Sequence, residues 1–205
     1  MDAIAHQPPQ MAKANGIELC YEIFGAPDAE PLVLIMGLGA QMIHWDDEFC
    51  QQLAGRGFRV IRFDNRDIGK STRLTGGKPL RAMDLIKLRL FKIAPEAPYK
   101  LWDMANDVVG LLDTLGIKKA HIVGASMGGM IAQAFAIRHS ERTRSLVSIM
   151  STTGDPEVGQ PETAALESLM TPTPEGRDAI IEASLRTSRV IGSPMHFDEA
   201  AERDK

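Results

Sequence analysis

Cysteine, aromatic residues and long apolar runs are all scarce in this 205-residue chain, and each scarcity removes a class of protein. Two cysteines, Cys20 and Cys50, cannot frame a disulfide-stapled fold and lack the paired spacing of a metal site, so no metal is expected. No apolar stretch approaches the roughly 18 residues that a bilayer crossing needs, which argues against a membrane span. Positive charge is also in deficit. Lys and Arg total 23 against 27 Asp and Glu, a net charge of -4 that does not suit a protein built to neutralise nucleic acid. Residues 1–10 hold His6 and Pro8-Pro9 and have no basic-then-apolar order, so no secretory signal is read there and a cytoplasmic soluble domain is the default expectation. No internal repeat or low-complexity tract is seen. What remains is 44% hydrophobic and 24% charged, ordinary for a globular chain long enough to bury a sizeable core.

The apolar pattern alternates between two periods. Gly16 to Gly25 alternates as an edge strand would, and Gly25-Ala26-Pro27-Asp28 is a turn. Pro31 to Met36 and Ser145 to Met150 are continuous apolar runs of the kind buried on both faces of a parallel sheet. Phe58 to Phe63 and Ala120 to Val123 are further strands. Helices are expected over Trp45 to Ala54, closed by Gly55 and Gly57, over Leu101 to Leu115, stopped by Gly116, and over Met127 to His139. Strand and helix in alternation predict an α/β fold, mostly parallel, with right-handed crossovers. Past Thr152 the chain is punctuated by Gly154, Pro156, Gly159, Pro161, Pro172 and Pro174, then becomes helical from Glu175 to Ile191. The expected organisation is a core over residues 1–155 and a helical appendage over 156–205. Asp198 to Lys205 reads as a helix without a stop signal.

One segment carries chemistry. Gly124-Ala125-Ser126-Met127-Gly128 fits Gly-x-Ser-x-Gly, with an apolar strand leading in and an apolar-faced helix leading out. In that setting the serine sits on a strained turn, with its hydroxyl exposed at a strand end beside a helix N-terminus. Small residues at 124 and 128 are what such a turn requires. The competing reading is a glycine-rich turn that happens to contain serine. A second turn, Met36-Gly37-Leu38-Gly39, closes the first buried strand, where backbone N–H groups could approach a substrate carbonyl.

Together, Val33 to Gly39, Phe63 to Ser71 (FDNRDIGKS) and Gly124 to Gly129 (GASMGG) resemble the alpha/beta-hydrolase superfamily, and more narrowly its serine esterase branch similar to aclacinomycin methylesterase. The resemblance runs from about Gly16 to the end of the chain. It implies a mostly parallel sheet flanked by helices, followed by the start of a helical cap. It also implies hydrolysis of a carboxylic ester, with Ser126 as nucleophile and the N–H groups of Leu38 and Met127 as the oxyanion hole. No cofactor is implied. Asp67 stands where glycine is commoner in the family's Asp-x-Arg-Gly-x-Gly-x-Ser turn, and Asp64 and Arg66 are expected to tie that loop down.

The rest of a serine relay is harder to find. A hydroxyl needs a base to take its proton and an acid to orient that base, in this fold in the order Ser, Asp or Glu, His. Downstream of Ser126 stand only His139 and His196. Thirteen residues of helix would carry His139 roughly 20 Å from the serine, which leaves His196 as the candidate base. Asp155, after the strand ending at Met150, is the candidate acid, against a turn role before Pro156. His44 is expected near the Gly37 turn, and His121 is read as structural. The family's later strands and its histidine loop are missing from these 205 residues, so the chain reads as C-terminally truncated. Two alternatives follow: a non-catalytic homologue that binds an apolar ligand or partner, or a peptidase, lactonase or haloperoxidase on the same scaffold. Leu80 to Ile93, apolar with interspersed cations, is expected to be a pocket-covering helix rather than a membrane-surface one. Met36, Met42, Met127 and Met130 suit an adaptable apolar pocket for a hydrophobic ester. A sheet lacking its last strands would leave an unpaired edge, which predicts a homo-oligomer or poor solubility.

Overall fold

The computed structural model describes residues 5–74, 97–155, 157–160, 162–172, 174–193, 195 and 197–203. The helix expected over Leu80 to Ile93 lies outside these residues. The chain divides into two compact units, Met1–Thr153 and Gly154–Lys205.

The first unit is built on six strands: β1 (His6–Ala14), β2 (Ile17–Phe24), β3 (Glu30–Ile35), β4 (Phe58–Phe63), β5 (Ala120–Ala125) and β6 (Thr143–Ile149). They form one mixed sheet in the order β1-β2-β4-β3-β5-β6. β1 and β2 are antiparallel additions, whereas β4, β3, β5 and β6 run parallel. Period-two alternation splits β3 between two cores. Val33 and Ile35 pack with the apolar faces of α2 (Leu101–Thr114) and α3 (Met127–Arg138), while Leu32 and Leu34 pack towards Trp45 and Cys50, the latter on α1 (Asp47–Ala54). Register places the strand ends together. Ile35 lies opposite both Phe63 and Gly124, and Ala125 lies opposite Ile149. The turns after β3, β4, β5 and β6 therefore leave the sheet at one end, the carboxyl end, where open α/β sheets place their ligands.

Two expectations change, and one strand is added. Residues 6–14 form β1, which pairs with β2 through an Asn15-Gly16 turn whose φ values are both positive, 48° and 80°. That is the backbone a two-residue hairpin favours. The register shifts between Gln7 and Gln10, where Pro8 and Pro9 cannot donate to the ladder. With β1 outside it, β2 is not an edge strand, and its last six residues are buried. Conversely, β6 reads as a buried strand but is exposed, with Leu146, Val147 and Ile149 at 40%, 46% and 38% of full accessibility. Among the described residues β6 pairs with β5 alone, so an apolar pattern is left without its second neighbour.

The second unit holds α4 (Thr163–Met170), α5 (Arg177–Ile191) and the short α6 (Glu199–Arg203). Leu185 is its buried anchor on α5. Ser168 of α4 donates to Thr187 of α5 at 3.0 Å, and Arg203 of α6 meets Glu182 of α5 at 2.7 Å. No helix among the described residues is long and apolar enough to cross a membrane.

Candidate active site

Ser126 stands between β5 and α3 with φ 54° and ψ -123°, a conformation a non-glycine residue adopts only under constraint. Two constraints are evident. Its backbone N–H donates to the Ile149 carbonyl at 2.9 Å, tying the turn to the end of β6, and its own carbonyl accepts from the Gly129 N–H at 2.9 Å as α3 begins. The flanking glycines make room: a Cβ on Gly124 would strike the Gly128 carbonyl, and one on Gly128 would strike that of Ile35. Strand, serine and helix can approach this closely only with hydrogen at both positions. Met127 and Gly128 open α3, so their N–H groups belong to the first turn, where amides have no partner within the helix and the helix dipole is positive.

The turn after β3 comes to the same place. A Cβ at Gly37 would lie 3.1 Å from the Ser126 Cβ and 3.5 Å from its hydroxyl oxygen, so the Gly37 backbone faces the serine directly. Leu38 follows and is 63% exposed. Gly37 and Met127 thus adjoin Ser126 from two different strand ends. Met36 and Met42 are buried, Met36 in the Trp45 core, whereas Met127 packs against the opposite core and Met130 is half-buried.

Residues 64–71, after β4, form the frame beside this turn. The Asp64 carboxylate accepts from the Met42 N–H at 2.8 Å and the Lys70 N–H at 3.0 Å, and the Ser71 hydroxyl donates to the Asp64 carbonyl at 2.6 Å. Arg66 makes a paired interaction with Asp107 of α2, Nε to Oδ2 at 2.7 Å and Nη2 to Oδ1 at 2.6 Å, and lies over the Tyr99 ring. Burial pushes the Asp107 carboxyl up, opposed by hydrogen bonds from Arg66 and Asn15. Burial pulls the Arg66 guanidinium down, and Asp107, helped by Asp103 and Tyr99, more than reverses it. The structural roles expected of Asp64 and Arg66 are present. Two partners of this frame carry no motif signal in the sequence. Asn65 donates from Nδ2 to the Met36 carbonyl at 2.9 Å, and Arg62 donates to the Trp45 carbonyl, to Glu22 and, at 2.6 Å, to Asp47.

The candidate relay partners stand as follows. His139 caps the far end of α3 and is bonded to Asn106 at 3.1 Å, and His121 Nδ1 is 2.7 Å from Ser145 Oγ near the start of β5, so both have places in the scaffold. His44 lies exposed in the short helix after the Gly37 turn. Asp155, the second residue of the second unit, is exposed, its Oδ1 accepting from the Glu157 N–H at 2.8 Å. His196 lies outside the described residues.

The sequence and fold of this chain have clear counterparts. Residues 30–189 match the alpha/beta hydrolase fold family, and the chain belongs to it. It is 32% identical over 143 residues to rhodomycin D methylesterase DauP of Streptomyces sp. (strain C5), covering 70% of this chain and 42% of that one. Against rhodomycin D methylesterase DnrP of Streptomyces peucetius the identity is 29% over 192 residues, 94% of this chain and 58% of the relative. The putative carbamate hydrolase RutD of Caulobacter segnis is 33% identical over 133 residues, 64% of this chain and 42% of its own. The chain thus spans about half the length of these relatives. Among solved structures, the enol-lactonase of Burkholderia xenovorans LB400 superposes with a TM-score of 0.59 at 30% identity, over 95% of this chain and 66% of that one. The 2-hydroxy-6-oxo-6-phenylhexa-2,4-dienoate hydrolase of Rhodococcus sp. strain RHA1 shares the fold, with a TM-score of 0.70 over 98% of this chain and 66% of that one at 17% identity.

Proposed function

We propose that the protein is a serine hydrolase of carboxylic esters in which Ser126 is the nucleophile. The observation that carries this reading is the backbone of Ser126, held at positive φ where strand, helix and the Gly37 turn meet. Strain of this kind costs on the order of 1–3 kcal/mol and persists where the surroundings impose it, often at reactive centres. The Ser126 hydroxyl attacks the ester carbonyl, and the Leu38 and Met127 N–H groups stabilise the negative oxygen that develops. Two such donors in place before reaction need no reorganisation in the transition state. The methylesterase relatives support a carboxylic ester, and buried methionines near the turns support an apolar one.

The hydroxyl proton goes to a general base oriented by an acid. His196 and Asp155 are the residues proposed for these two roles, and Asp155→Asn with His196→Ala is the pair of variants that tests them. The proposed substrate is a small hydrophobic ester and the proposed compartment the cytoplasm, where two unpaired buried thiols are stable. The exposed apolar strand β6 supports self-association, and size-exclusion chromatography tests it: a strictly monomeric peak contradicts it. Turnover of p-nitrophenyl esters by the full chain tests the reaction. Activity that disappears in Ser126→Ala supports the reading, and activity that survives the substitution contradicts it.

A further inference from the structure

The Leu38 peptide is asked to hold one orientation, yet it sits in the sequence Gly37-Leu38-Gly39, beyond the last ladder bond of β3. Two glycines in three residues impose little restraint of their own on that peptide, its Gly37 carbonyl accepts only a weak bond from the Ala40 N–H at 3.4 Å, and Gly39 has φ 71°. An oxyanion donor is effective only when its N–H is fixed beforehand. Something outside the turn must fix it.

We propose that Asn65 is the positioning residue for the Leu38 donor, an inference that deepens the reading of Ser126 and Leu38 given above. Asn65 is 3% exposed, and its Nδ2 donates to the Met36 carbonyl at 2.9 Å. That carbonyl belongs to the peptide entering Gly37, so the bond fixes the plane from which the donor turn departs. The neighbouring Asp64 holds the other flank, accepting the Met42 N–H at 2.8 Å. Consecutive side chains after β4 thus grip both sides of the turn, and the weak Ala40 N–H to Gly37 carbonyl bond at 3.4 Å is the only backbone bond closing it among the described residues. Asp64 is itself anchored by Lys70 and Ser71. Asn65 suits its task because the task needs a short, buried donor. Aspartate has the same shape but only acceptors, and would face the Met36 carbonyl with a like partial charge.

The test compares Asn65→Asp, Asn65→Ala and Asn65→His in the full chain; the histidine Nδ1–H offers a donor at similar reach. Two readouts are taken: kcat and KM for a p-nitrophenyl ester, and 15N relaxation of the Leu38 and Met127 amides. Removing an oxyanion donor outright costs about 10²–10³ in kcat, so misaiming one is expected to cost roughly tenfold, with KM unchanged. Asn65→Asp and Asn65→Ala should show that loss together with a more mobile Leu38 amide and an unaltered Met127 amide. Asn65→His should recover most of both. Leu38 dynamics that are unchanged in Asn65→Asp overturn the proposal, as does a kcat loss that histidine does not restore in a fully folded sample. If the wild-type chain turns over no ester, the hydrolase reading fails by itself, and the Leu38 amide alone decides the positioning role.

Discussion

Arg66 and Arg203 each meet a carboxylate at nearly the same distance, 2.6 Å to Asp107 and 2.7 Å to Glu182, yet the two pairs live in different physical worlds. The side chains of the first pair are 7% and 3% exposed, and those of the second are 44% and 56% exposed. Water and salt screen the second pair, and its long side chains surrender rotamer freedom to form it. The first pair has no water to fall back on, so its worth lies in the penalty for leaving either partner alone. The same division runs through the molecule. Arg62, in the first unit, is buried against Glu22, whereas Arg189 and Glu199 of the second unit meet in the open. The buried ions hold the loops after β3 and β4, whereas exposed pairs such as Arg203–Glu182 and Arg144–Glu30 join helices or strands at the surface.

Breaking a buried partner is expected to have the largest effect. Asp107→Ala leaves the Arg66 guanidinium buried and uncompensated, which should cost about 3–5 kcal/mol, read from urea unfolding. Glu22→Ala should cost somewhat less, roughly 3 kcal/mol, because Asp47 still faces Arg62 at 2.6 Å. A cost below about 1 kcal/mol in either variant would place these pairs with the exposed ones and dissolve the comparison.

A neutral buried group sharpens it further. Burial pushes the Cys50 thiol up from 9.0 to about 11, against the pull of Arg62. The unfolded chain ionises first, so the stability that Cys50 contributes is complete below pH 9 and is lost as pH rises towards 11. That difference corresponds to a stability contribution on the order of 3 kcal/mol at full ionisation. Unfolding midpoints measured from pH 8 to 11 should fall, and Cys50→Ala should flatten part of that slope; an unchanged slope would contradict it. Arg203→Ala stands at the small end. Its thermal midpoint should match that of the parent chain within error, and a clear drop would show that the exposed network does more than its surroundings suggest.

The sequence makes some of this visible and hides the rest for physical reasons. The strands β3, β4 and β5 and the turn at Ser126 are legible because their signals are local: β-branched runs, a glycine at each close approach, and a helix that starts at once. The β1–β2 hairpin carried a signal too, Asn15-Gly16 between alternating segments, but Pro8-Pro9 obscured the first strand. The exposure of β6 could not be read from SLVSI, because burial depends on which strand lies beyond it and not on the strand itself. Asn65 and Arg62 were likewise invisible as frame residues. Their acceptors lie 29 and 17 positions away, at Met36 and Trp45, and only the sheet order brings them together. The acid and base are a different case. A serine turn announces itself by spacing, whereas a lone aspartate or histidine in a loop has no pattern of its own.

The central claim is that Ser126 is a nucleophile, and one measurement addresses it directly. The intact chain is treated with a fluorophosphonate, digested, and the adduct located by mass spectrometry. The account predicts a single adduct on Ser126, absent from Ser126→Ala and slowed in Asn65→Asp. A folded sample that carries no adduct, or carries it on another residue, would contradict the claim.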